Sequence, residues 1–109
     1  MGWCRQAGMT ILVTGVIELD AGKREDVVAA MGVVMEKTRA EEGCEGYAFT
    51  GDLGDPGRFY VAEQWASEDA MNAHMATAHL AEFMGKMGEF GVTKVEITRW
   101  DGAVPSKLM

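Results

Sequence analysis

Thr10 to Leu19 (TILVTGVIEL) alternates, with Ile11, Val13, Gly15, Ile17 and Leu19 on one side and Leu12, Thr14, Val16 and Glu18 on the other. Both sides are largely apolar, which predicts a strand covered on both faces. Gly15 interrupts one of them, and a strand position without a side chain marks close approach by a neighbour or a ligand. Asp20-Ala21-Gly22 breaks the strand and offers a helix cap, with Glu25 and Asp26 in the following turn. From Lys23 to about Glu42 the spacing becomes helical through Val27, Met31, Val34, Met35 and Thr38, and Gly43 ends it.

Gly46 to Asp52 reads as a second strand with Tyr47, Phe49 and Gly51 on one face. The turn cluster Leu53-Gly54-Asp55-Pro56-Gly57 joins it to a third strand, Arg58 to Trp65, giving a hairpin. Ser67 caps a helix that carries Met71, His74, Met75 and Ala78 on one face. Thr77 restarts or kinks it, and Leu80, Phe83, Met84 and Met87 form a second stripe. Val92 to Trp100 is the fourth strand. Residues 1–8 read as a loose extension, 9–101 as the folded domain and 102–109 as a tail.

The order strand, helix, strand, strand, helix in two pieces, strand predicts an α+β, ferredoxin-like βαββαβ domain. With right-handed crossovers the sheet is antiparallel and both helices lie on one face. Leu12, Val16, Ala48, Tyr60 and Ala62 then occupy the other face, which is too apolar to stay bare. A second copy packed sheet against sheet would cover it, so a homodimer is expected.

Composition narrows the partners. In 109 residues there are 10 basic and 17 acidic side chains, a net charge of −7. No Lys/Arg cluster is available for nucleic acid or an anionic membrane. No apolar run is long enough to cross a bilayer, and the first residues lack a signal peptide's apolar core, so a cytoplasmic location is expected. Cys4, Cys44 and the two histidines lack metal-ligand spacing, and neither a disulfide framework nor a metal is expected.

There is no GxSxG, P-loop or dinucleotide-binding glycine run. The informative stretch is Glu63 to Met84 (EQWASEDAMNAHMATAHLAEFM). Glu63 and Trp65 share the helix-facing side of their strand with Phe59 and Val61, and His74 sits on an apolar stripe. The three converge between sheet and helices if the fold is right. Two readings follow: His74 is a core histidine with Glu63 as its partner, or the three line a functional cavity. The methionines, Met31 and Met71 among them, are ordinary core or the adaptable wall of an apolar pocket.

The stretch, together with EEGCEGY at 41 to 47, resembles the antibiotic biosynthesis monooxygenase family. Gly43, Cys44, Tyr47, Glu63-x-Trp65, His74, Thr77, His79 and Phe83 carry the resemblance, which spans about Met9 to Trp100. It implies a homodimer that oxygenates quinols, anthrones or related aromatics with O2 and no metal, flavin or haem. His74 would be the base, Trp65 would stack on the substrate or donate its N–H, and Glu63 would orient His74. Phe59, Met71, Phe83, Met31 and Gly15 would contact the substrate. The alternatives are a non-catalytic dimeric module for a small aromatic metabolite and, third, a haem-handling protein. The haem-degrading branch uses an Asn in its first strand where this chain has Gly15, which argues against the third.

Overall fold

The computed structural model describes residues 10–109; the expected extension at 1–8 lies outside the described residues. Strand β1 (Thr10–Glu18) leads through a 3-10 turn (Ala21–Lys23) into α1 (Arg24–Arg39). The hairpin β2 (Cys44–Gly51) and β3 (Arg58–Trp65) follows, then α2 (Glu68–Met75), α3 (Ala78–Gly85) and β4 (Lys94–Ala103). All neighbouring strands are antiparallel, in the order β2-β3-β1-β4. This is the expected ferredoxin-like arrangement.

The caps are those the sequence offers. The Asp20 carboxylate accepts from Gly22 N–H, and the Ser67 hydroxyl accepts from Ala70 N–H. Thr77 does two jobs at the break in the second helix: its Oγ1 donates to the His74 carbonyl at 2.7 Å and accepts from Leu80 N–H at 3.4 Å. One side chain therefore closes α2 and opens α3.

Ile11, Val13 and Ile17 of β1, Phe59, Val61 and Trp65 of β3, and Tyr47 of β2 are buried on the inner face. Val27, Met31 and Val34 of α1 pack on them, with Phe83 and Phe90 from the second half of the chain. Among the described residues no helix covers the outer face, where Leu12, Thr14, Ala48, Ala62 and Gln64 line a shallow depression. Trp100 lies beside it, half exposed, with its Nε1–H donating to Thr14 Oγ1 at 2.9 Å. Among the described residues, no helix is long and apolar enough to cross a membrane.

The expected tail begins too early. β4 continues to Ala103, which pairs with Thr10, while Ile11 pairs with Asp101. Gly102, at φ +71°, is the extra residue of a bulge that only a left-handed position allows, so pairing resumes beyond it.

Candidate functional site

His74 is 1% exposed and lies near the end of α2. Its Nδ1 is 2.9 Å from Glu41 Oε2, and His79 Nε2 approaches the same oxygen at 2.7 Å. A carboxylate can only accept, so both facing ring nitrogens carry the hydrogen. In the neutral imidazole this tautomer puts the lone pair on Nε2. Among the described residues nothing hydrogen-bonds that nitrogen, and it is not one of the sealed, unpartnered polar atoms.

Glu41 reaches this position from the turn after α1, where its N–H bonds the Thr38 carbonyl and its own carbonyl accepts from Cys44 N–H. The turn brings the carboxylate under the α2–α3 break. Glu41, His74 and His79 place their ligand atoms within 4.8 Å of one another. Two imidazoles and a carboxylate are a donor set for a divalent ion. In this arrangement the carboxylate oxygen instead sits at hydrogen-bonding distance from both nitrogens.

Behind His74 lies Trp65, 0% exposed, its ring tilted 32° to the imidazole with centroids 4.7 Å apart. The indole N–H donates to Glu63 Oε1 at 2.9 Å. Burial pushes the Glu63 carboxyl above the usual carboxylate range; the indole N–H and His74 pull it down, and Glu41 adds to the rise. Tyr47 meets the His74 ring edge-on at 5.3 Å. Its phenol is held well above the ordinary tyrosine range, first by burial and then by Glu63 and Glu41, so it stays protonated.

These groups meet at a cavity of about 280 Å³ between the sheet and α2/α3. Glu63 and His74 are on its wall with Tyr47, Phe49, Leu80 and Phe83. Met75, Met84, Val95 and Ile97 also line it and are about half exposed, so they form an apolar mouth. An uncharged ring suits such a space, and a carboxyl plus an imidazole give it two points of proton exchange.

The residue model for antibiotic biosynthesis monooxygenases matches positions 10–86. The chain belongs to the antibiotic biosynthesis monooxygenase family. It is 29% identical over 89 residues to the Bacillus subtilis protein described as "Putative monooxygenase YcnE", covering 82% of this chain and 94% of that one. It is 30% identical over 87 residues to "Uncharacterized protein sll1783" of Synechocystis, covering 80% of this chain but only 59% of that longer protein. A Deinococcus radiodurans structure described as a "putative antibiotic biosynthesis monooxygenase" superimposes with a TM-score of 0.83 at 24% identity, over 91% of this chain and 98% of the other. That likeness establishes the shared fold.

The expected site residues divide. His74, Glu63 and Phe83 line the cavity, and Trp65 lies behind it as the layer between Glu63 and the imidazole. Glu63 does not orient His74: Glu41 takes that place, because the Glu63 carboxyl is held by the indole two residues along its own strand. Phe59, Met31, Met71 and Gly15 do not line the cavity. Phe59 pairs across the strands with Gly51 and Ile17 at the far end of the sheet, beneath the Arg24 guanidinium. Met31 is core under α1, and Met71 packs half-buried against that core. Gly15 admits a neighbour and not a ligand, since a Cβ there would fall 2.5 Å from Ile97 Cδ1 and 2.7 Å from the Glu96 carbonyl oxygen.

Glu41 and Tyr47 lie within EEGCEGY, where the sequence pattern by itself gives neither a role at the cavity. No periodic rule pairs a loop carboxylate with a helix residue 33 positions on. The one available signal was an acid in the turn that a βαβ crossover returns to the sheet end.

Proposed function

We propose that the protein is a cofactor-independent monooxygenase that uses O2 on an electron-rich aromatic such as a quinol or anthrone. The observation that carries this reading is His74: its Nδ1–H is tied to Glu41 and its side chain lines an apolar cavity sized for a small ring system. A base in that setting can take a proton from a phenol or from an anthrone methylene. The resulting anion passes one electron to O2, the two radicals join as a hydroperoxide, and loss of water leaves the new carbonyl. The protein's share is to bind the ring, hold the proton at Nε2 and stabilise the developing oxyanion. The protonated Tyr47 phenol is a donor for that oxyanion.

A homodimer closed through the outer sheet face belongs to the same proposal. Leu12, Ala48, Ala62 and the half-exposed Trp100 supply an apolar surface that none of the described helices covers. Light scattering after size exclusion is expected to give twice the chain mass at micromolar concentration, and a stable monomer overturns it. The haem reading loses support at Gly15, where Ile97 and the Glu96 carbonyl leave no room for any side chain.

The deciding experiment is oxygen uptake by metal-stripped protein with dihydroxynaphthalenes and anthrones, beside His74→Ala. Uptake above the spontaneous rate that falls by about 10²–10⁴ in the variant is expected for loss of a general base. No uptake with any substrate would replace the oxygenase by a binding module for a small aromatic metabolite.

A further inference from the structure

The Glu63 carboxyl has no part in orienting His74, so its presence on an otherwise apolar wall needs another account. We propose that His74 and Glu63 form a base–acid pair that interconverts the keto and enol forms of an aryl or ring-fused ketone, with no oxygen consumed. The inference rests on the same proton removal by His74 as the oxygenase reading, and adds a separate group, Glu63, and an outcome that needs no oxygen.

The geometry supports opposite roles for the two. His74 presents a bare nitrogen, because its N–H is committed to Glu41. Glu63 presents the reverse: its Oε1 accepts the indole N–H of Trp65, as the carbonyl oxygen of a neutral carboxyl would, and Oε2 has no hydrogen-bond partner among the described residues. An O–H on Oε2 is therefore free to donate into the cavity that both side chains line. Trp65 is stacked on the imidazole and bonded to the carboxyl, and no hydrogen bond or ion pair joins His74 to Glu63 among the described residues. Burial of the carboxyl, which favours its neutral form, is in keeping with the acid role.

In the forward direction a C–H bond conjugated with the ketone through the ring, as at C10 of an anthrone, breaks and its proton goes to His74 Nε2. The electron pair becomes the enol double bond as the carbonyl oxygen takes the Oε2 proton of Glu63. The imidazolium then returns its proton to solvent and the carboxylate regains one, so the substrate keeps its atom and electron count.

The test is anaerobic exchange of the anthrone C10 methylene in D2O, followed by proton NMR with metal-stripped protein. Wild type is expected to exceed the buffer rate by about a hundredfold, the scale of one positioned acid–base group. His74→Ala should fall to the buffer rate, and Glu63→Ala should lose at least about tenfold. Glu63→Gln, whose amide keeps the Trp65 bond and still donates but cannot give up a proton, should lie between wild type and Glu63→Ala and guards against a folding artefact. Wild-type exchange no faster than buffer overturns the inference, as does a wild-type rate in both Glu63 variants. Exchange without oxygen uptake keeps this inference and defeats the oxygenase; uptake together with exchange that stays at the wild-type rate in both Glu63 variants keeps the oxygenase and overturns this inference.

Discussion

The inner face of the sheet is covered in two ways. Under α1, an unbroken helix of 16 residues, Val27, Met31, Val34 and Thr38 are all 2% exposed or less. Under α2 and α3, each 8 residues long, only His74 and Phe83 are buried among the helix residues. The break at Thr77 stops a continuous apolar stripe from forming, so methionines reach the surface and a cavity is left beside β4. One half of the domain is built for close packing, where missing volume costs directly. The other gives up packing to keep an open nitrogen and a carboxyl at the wall of a cavity.

That contrast can be broken by matched truncations. Met31→Ala, in the dry half, is expected to destabilise by about 2–5 kcal/mol, read as a lower urea midpoint at unchanged slope. Met84→Ala, at the half-exposed mouth, is expected to cost less than about 1 kcal/mol, so equal losses would show that the two halves are packed alike. Gly15→Ala comes next in size. Its Cβ would press on a backbone oxygen as well as on Ile97, and overpacking of this kind costs about 1–3 kcal/mol. Hydrogen exchange should show the loss as faster opening of the β1–β4 pairing.

Thr38→Val should go the other way. Among the described residues, Thr38 Oγ1 is the buried side-chain oxygen without a partner, and replacing it by a methyl is expected to raise stability by about 1 kcal/mol in urea unfolding. Glu63→Gln sharpens the polar half. A carboxyl whose folded pKa is raised binds its proton more tightly in the native state, so its contribution holds at acidic pH. It is lost as pH rises through the folded value. The melting temperature of Glu63→Gln relative to wild type is therefore expected to climb from pH 4 towards neutrality. A gap that stays flat with pH would show that the carboxyl is solvated like an ordinary surface acid.

The order of elements, the faces of β1, β2 and β3, the caps at Asp20, Ser67 and Thr77, and the gathering of His74, Glu63 and Trp65 between sheet and helices were legible in the chain itself. They rest on local rules: a period of two or 3.6, a hydroxyl or carboxylate before a helix, a turn cluster between strands. The register bulge at Gly102 was not legible, because it depends on how β4 meets β1 rather than on β4 alone. Nor was the position along the sheet of Phe59, Met31 and Met71, which share the correct face but sit away from the cavity. A strand or helix period says which way a side chain points and nothing about which neighbour it finds there. The hydrogen bond from Glu41 to His74 is the clearest case. It joins a loop to a helix across the crossover, and only the closed fold, which decides where a turn comes to rest, assigns the base its partner.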